Sequence, residues 1–349
     1  MHVPDGFINA PVSVATGVVA AATVAVSLRG ARRELDERTA PLAGLVAAFI
    51  FAVQMLNFPV AAGTSGHLLG GALAAILVGP FTGVLCVSVV LLMQGILFAD
   101  GGLTALGVNI TVMAVVTTVV AYTVFRGLVK LLPKKRRSIT VSTFVAAVIS
   151  VPAAAAAFTL VYAIGGTTDV PIGQVLTAMV GVHVLIGIGE AAITALTVGA
   201  VIAVRPDLVY GARGLTAPLK LRVGGELVDT PAAEPVPVAA RSHRPVWLAG
   251  LAASLVLAGF VSFYASANPD GLEKVAADKG IDAKVEDHAA ADSPLADYGV
   301  EGLTNSRISG GLAGVIGVGV TVAAGTGVFW AVRKRRTSET SPSQIGESV

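Results

Sequence analysis

Cysteine and charge are what this chain has least of. Its 349 residues include one cysteine, Cys86, which sits inside an apolar run. That excludes a disulfide framework and a thiolate metal cluster. Only 13% of residues are charged, about half the share of a soluble protein. No G-x-x-x-x-G-K-[ST] occurs, so the chain has no P-loop with which to hydrolyse ATP. The absence of H-E-x-x-H and G-x-S-x-G argues against an intramembrane metalloprotease or a hydrolase. Residues 1–9 lack a basic n-region, so no cleavable signal peptide is expected and Met1 should remain.

Apolar sequence fills the space. Hydrophobic residues make up 54% of the chain and the mean hydropathy is +0.79. Repeated apolar runs of about 20 residues predict an all-α polytopic membrane bundle in a lipid bilayer. Forty glycines suit close helix packing in lipid. The spans read as 10–28, 42–60, 65–79, 81–98, 104–125, 140–164 and 174–203, then 246–266 and 308–332. The third is short, Gly-rich and stopped by Gly79-Pro80, which predicts a broken or tilted helix. With the N-terminus outside, 20 of the 24 Lys and Arg residues fall inside, leaving Lys274, Lys279, Lys284 and Arg307 outside. This follows the positive-inside rule and predicts a multi-pass plasma-membrane protein with an extracytoplasmic N-terminus and a cytoplasmic C-terminus. Residues 204–245, with Pro231, Pro235, Pro237 and Pro245, read as a cytoplasmic linker. The linker divides a seven-span module, 1–203, from a two-span module, 246–332, whose outer loop is 267–307. Residues 333–349 are expected to form a disordered tail.

The candidate chemistry begins at Met1-His2-Val3-Pro4-Asp5-Gly6-Phe7. The α-amine of Met1 and the amide nitrogen of His2 close a five-membered ring on a metal. The same amide and the His2 Nδ1 close a six-membered one. Three coplanar nitrogens suit Ni(II) or Cu(II), and the geometry can be forced on Co(II). Pro4 turns the chain away, and Asp5-Gly6 supplies turn chemistry. His67, flanked by small residues, falls on the same side as the N-terminus and reads as a fourth nitrogen donor or as a hydrogen-bonded interface histidine. His183 and Glu190 are seven apart, on one helical face. They read either as an inner relay or as buried pins to a neighbouring helix. Gln54 and Asn57, three apart, read as hydrogen-bond support for the ligand imidazoles or as helix glue. The outer loop's acidic residues, Asp270 and Glu273 among them, read as a cation-attracting surface or a plain hydrophilic one.

The opening heptapeptide, Gly66-His67 and the stretch Leu185-Ile186-Gly187-Ile188-Gly189-Glu190-Ala191 resemble the CbiM/NikM family. Those proteins are the substrate-capturing membrane components of energy-coupling factor (ECF) ABC transporters for cobalt and nickel. Asn268-Pro269-Asp270-Gly271-Leu272-Glu273 resembles the PDGLE domain of their two-span companion subunits. The resemblance implies a seven-helix ECF S-component-like bundle with a fused two-helix module. It also implies metal ligation by Met1, His2 and His67, with Asp5, Gln54, Asn57, His183 and Glu190 as supporting or relay residues. Transported Co2+ or Ni2+ would be the substrate, with no permanently bound cofactor. The implied partners are an ECF transmembrane coupling subunit and two ATPase subunits, and no nucleic acid. The chain itself is then a transport component and not an enzyme. A stand-alone proton-coupled secondary metal transporter, with His183 and Glu190 as the proton path, is the alternative.

Overall fold

A computed structural model describes residues 1–35, 39–61, 63–133, 135–213, 220–223, 226–229 and 244–339. Most of the linker expected at 204–245, and the end of the tail expected at 333–349, lie outside these residues. The architecture is all-α and polytopic, as the apolar runs predict. It starts with an extended segment, residues 1–8, followed by α1 (Ala10–Glu34). Asn9 caps α1 by accepting from the Val12 N–H at 3.1 Å, and Pro11 supplies its first turn. Next come α2 (Ala40–Gln54), the short antiparallel pair β1 (Phe58–Pro59) and β2 (Ser65–Gly66), and α3 (Gly71–Val78). Pro80 at the start of α4 (Pro80–Leu97) forces the reversal after Gly79, whose φ is +103°.

α5 (Leu106–Asn109) and α6 (Thr117–Leu131) are joined by a π-helical stretch, Ile110–Val116, into one span. α7 (Arg136–Gly165) and α8 (Ile172–Val204) form the most extensively packed helix pair and complete the seven-helix module. A hairpin of β3 (Lys220–Val223) and β4 (Glu226–Asp229) follows within the expected linker. The second module is α9 (Arg244–Gly259), the loop helix α10 (Gly271–Lys279) and α11 (Ser306–Glu339). The last helix therefore continues six residues past 333, where a disordered tail was expected.

Two of the nine expected spans differ from a full crossing helix. Among the described residues seven helices are long and apolar enough to cross a membrane, while Ala40–Gln54 falls short. α3 has eight residues, all buried, and at 1.5 Å per residue rises only about 12 Å. The six residues before it, Ser65 to Gly70, run as β2 and coil. An apolar run does not reveal whether it is helical throughout, so hydropathy alone read 65–79 as one span. The irregular backbone is tolerated because protein side chains satisfy it. Glu190 accepts from the N–H groups of Leu69 and Gly70 at 2.6 and 3.2 Å. Gln54 Nε2 donates to the Leu69 carbonyl at 3.1 Å.

α11 docks on α2 through small residues. A Cβ added at Gly44 would lie 2.9 Å from the Thr326 backbone nitrogen, and one at Gly325 would lie 3.1 Å from the Gly44 Cα. Such backbone proximity supplies the dispersion contact that substitutes for a hydrophobic drive in lipid. The two ends of the bundle differ in charge. One end holds Glu34 against the first turn of α4, accepting from the Thr82 N–H at 2.7 Å, with Arg213 close to its charge. The other gathers the N-terminal segment, the α4–α5 loop and the loop between α9 and α11.

Candidate metal centre

The extended N-terminal segment alternates with period two. Met1, Val3, Asp5 and Phe7 are buried, while His2 and Pro4 line a cavity of about 570 Å³. Other walls of that cavity come from His67, Asp100, Asp270 and Tyr298. Main-chain and side-chain bonds fix the register from several directions. Val3 donates to Asn109 Oδ1 at 2.8 Å, and Asn109 Nδ2 donates back to the Val3 carbonyl at 3.1 Å. Asn109 sits where α5 passes into the π-helical stretch, a distortion often found at functional sites. The Asp5 carboxylate accepts from the N–H groups of Leu103 and Thr104 at 3.2 and 2.8 Å. Gly6, at φ +85°, presses against Lys284, where an added Cβ would meet the carbonyl oxygen. Thr167 Oγ1 donates to the Gly6 carbonyl at 2.7 Å.

This anchoring brings Met1 to His67. The terminal nitrogen lies 2.5 Å from His67 Nε2. His67 Nδ1 faces the Leu68 carbonyl at 3.0 Å. A carbonyl only accepts, so the proton is on Nδ1 and the Nε2 lone pair faces the amine. The His2 ring stacks on the His67 ring, with centroids 5.0 Å apart and planes inclined by 12°. His2 Nδ1 points to Asp100 Oδ1 at 3.1 Å, and the other Asp100 oxygen accepts from the Tyr298 hydroxyl at 2.6 Å. His2 Nε2 is buried without a hydrogen bond. Burial pushes the His2 imidazole pKa down to about 4, against the opposing pull of Asp100. The ring is therefore neutral at physiological pH.

The remaining sequence candidates divide. Glu190 is close to the site but acts on its frame, because both oxygens are engaged by the turn that carries His67. Gln54 braces the same turn, and Asn57 accepts from the Ser266 N–H at 2.7 Å through its main chain. Asp5 anchors the N-terminal segment to the α4–α5 loop. His183 donates from Nδ1 to the Met179 carbonyl at 2.7 Å, leaving a buried Nε2 without a hydrogen bond. It shares a narrow cleft with Met1, His67 and Asp270. Among the described residues no group of three or more His, Cys, Asp or Glu side chains is arranged to hold a metal ion. An ion here has to draw on main-chain nitrogen.

Sequence reasoning did not foresee one neighbour, Asp270. Its Oδ2 is an ion-pair partner of the Met1 amine and lies 3.4 Å from His67 Nε2. Burial alone would raise its carboxyl pKa, but the Met1 ammonium and His67 outweigh burial and hold it well below the usual range. The Pro-Asp-Gly-Leu-Glu residue types carried a signal, although not for this contact.

Residues 2–208 match the family described as the cobalt uptake substrate-specific transmembrane region, CbiM. The chain belongs to the CbiM family. A PDGLE domain matches at 244–334, so in this CbiM-family chain the family region is followed by a PDGLE region. It is similar to the cobalt transport protein CbiM of Sorangium cellulosum, 32% identical over 216 residues, 60% of this chain and 94% of that one. It is also similar to the fused nickel transport protein NikMN of Rhodobacter capsulatus, 47% identical over 128 residues, 36% of each chain. A crystal structure described as a truncated transition metal transporter superposes with a TM-score of 0.51 at 26% identity, covering 58% of this chain and 99% of that one. This CbiM-family protein is thus a membrane component of a transition metal transporter.

Proposed function

We propose that the chain captures Co2+ or Ni2+ on the extracytoplasmic side for an ECF-type importer. The ion is held by the Met1 amine, the His2 amide nitrogen and Nδ1, and His67 Nε2. One observation carries this reading: the Met1 nitrogen meets the unprotonated Nε2 of His67 at 2.5 Å. Two nitrogens at right angles on an ion with bonds of about 2.0 Å sit about 2.8 Å apart, so the pair is close to the spacing of neighbouring ligands. Capture requires the His2 ring to turn from Asp100 and carry its proton on Nε2, freeing Nδ1 for the chelate. Because His2 is already neutral, the protons that compete with metal are those of the amine and the amide, and binding weakens as pH falls.

The sidedness follows from charge. With the N-terminus outside, 20 of 24 Lys and Arg residues fall on the cytoplasmic side, which supports this orientation. A chain without a P-loop draws its energy from a partner or an ion gradient, and the family favours ATPase subunits with a coupling subunit. A stand-alone proton-coupled transporter is disfavoured by Glu190, whose oxygens are committed to two main-chain N–H groups.

The test is to add one residue before Met1. The extended protein should remain folded and lose Ni(II) and Co(II) binding by at least a hundredfold in titration calorimetry, with His67→Ala behaving alike. Full-affinity binding by the extended chain sinks the reading. Mass spectrometry of the native terminus must find Met1 retained and unblocked.

A further inference from the structure

We propose that Asp270 of the two-span module is a fifth donor to the transported ion, an oxygen ligand lent by the C-terminal module to the nitrogen site. The inference rests on the four-nitrogen reading above and adds to it the part played by the fused module. The Met1 nitrogen, His67 Nε2 and Asp270 Oδ2 form a compact triangle. Its Met1–His67 edge is 2.5 Å and its His67–Asp270 edge 3.4 Å, and the third edge is the Met1–Asp270 contact. Neighbouring ligands on one ion with bonds of 2.0–2.1 Å are about 2.9 Å apart. The two stated edges bracket that spacing, so one ion can reach all three atoms with small shifts.

The two oxygens of Asp270 have separate tasks. Oδ1 caps α10, accepting from the Glu273 N–H at 2.9 Å, and Glu273 returns the bond to the Asp270 N–H at 2.8 Å. This capping box fixes the side chain and leaves Oδ2 aimed at the metal centre. The residues around it seat the carboxylate. Ser65 donates its N–H to the Pro269 carbonyl at 2.9 Å, and its hydroxyl to the Asn268 carbonyl at 2.8 Å. Gly271 lets the loop lie against α8, since a Cβ there would be 2.7 Å from Ile186 Cδ1 and 3.1 Å from His183 Cε1. Leu272 is buried. Each residue of the Pro-Asp-Gly-Leu-Glu string thus serves to hold one oxygen beside the amine and the imidazole.

An ion pair between Asp270 and the terminal amine explains the contact without metal. It leaves over the second contact, the same oxygen 3.4 Å from His67 Nε2, which is longer than a good hydrogen bond. A donor set that converges on one point accounts for both contacts. The chemistry has a further consequence. Four planar nitrogens satisfy Ni(II), whereas an added oxygen donor raises the coordination number and suits Co(II) and other ions that favour mixed N/O sets.

The experiment uses the full chain in detergent and compares wild type with Asp270→Asn and Asp270→Ser. Asn and Ser both serve well as N-caps, so α10 keeps its cap while the carboxylate is lost. Affinities for Co(II) and Ni(II) are measured separately, and the magnetic state of the bound Ni(II) is read by paramagnetic NMR. We expect Co(II) affinity to fall at least tenfold in both variants and Ni(II) affinity to fall less. Bound Ni(II) should be paramagnetic in wild type and diamagnetic, as a four-coordinate planar ion, in the variants. Unchanged affinities and an unchanged magnetic state overturn the proposal. If the N-terminally extended chain fails to bind while both Asp270 variants match wild type, only the role of Asp270 is wrong. If the extended chain binds fully, the four-nitrogen reading fails first.

Discussion

The two walls of the metal centre are held in opposite ways. The His67 wall is set within the bundle, its backbone satisfied by Glu190 from α8 and Gln54 from α2. Behind it stands α3, with all eight residues buried. The Asp270 wall is laid on by loop contacts such as Ser65 to Pro269, from a loop carried between the exposed α9 and the packed α11. The most apolar stretch of the α9 span is 11% buried, against 44% for the α8 span. On the proposed capture role, the Asp270 side is the wall that would open for loading and release, leaving the nitrogen set intact.

The largest effect should come from damaging the frame. Glu190→Ala orphans two buried N–H groups, each costing about 1–3 kcal/mol, so the folded state should lose roughly 2–6 kcal/mol. Metal binding should fall with it, since the turn carrying His67 loses its anchor. Glu190→Gln keeps one acceptor oxygen and should restore much of both. Thermal unfolding in detergent, paired with Ni(II) titration, reads the two effects. A Gln variant as stable as wild type but inactive in metal uptake would return Glu190 to the relay role.

A smaller effect should follow from loosening the Asp270 wall at a distance. Gly44→Leu drives a side chain into Thr326 and pushes α11 away from α2, where an overpacked contact costs about 1–3 kcal/mol. The metal ligands are untouched, yet Asp270 should withdraw from the centre. We expect weakened Co(II) binding and raised protease access to the loop between α9 and α11. Unaltered binding with a displaced α11 would mean that the loop docks independently of its helices.

Much of this was legible in the chain itself. The approach of Met1 to His67 was expected from the position of the terminus and from counting crossings, both one-dimensional facts, while the chelate itself is a proposal. Asp270 stood out only within its Pro-Asp-Gly-Leu-Glu string; its contact with Met1 was not legible, because it joins residues 269 positions apart. The contact of Asp100 with His2 was hidden for the same reason. The partner of Glu190 was hidden differently, because it is backbone, which carries no residue-type signal. The shortness of α3 was hidden too, since an extended apolar strand and an apolar helix have equal hydropathy.

The smallest effect concerns the group between the walls. His2 is buried with its pKa lowered to about 4, whereas a free histidine titrates near 6.5. The folded form therefore favours the neutral ring. Its contribution to stability is complete above pH 6.5 and is lost progressively as pH falls towards about 4, with a slope of at most about 1.4 kcal/mol per pH unit. Asp270, held well below the usual carboxylate range, keeps its charge through that window and does not share the slope. In the metal-free protein, the unfolding midpoint of wild type should fall faster between pH 6.5 and 4.5 than that of His2→Gln, which cannot take up the proton. Equal slopes would mean that the His2 ring accepts a proton where it lies, and that Asp100 outweighs burial in setting its charge.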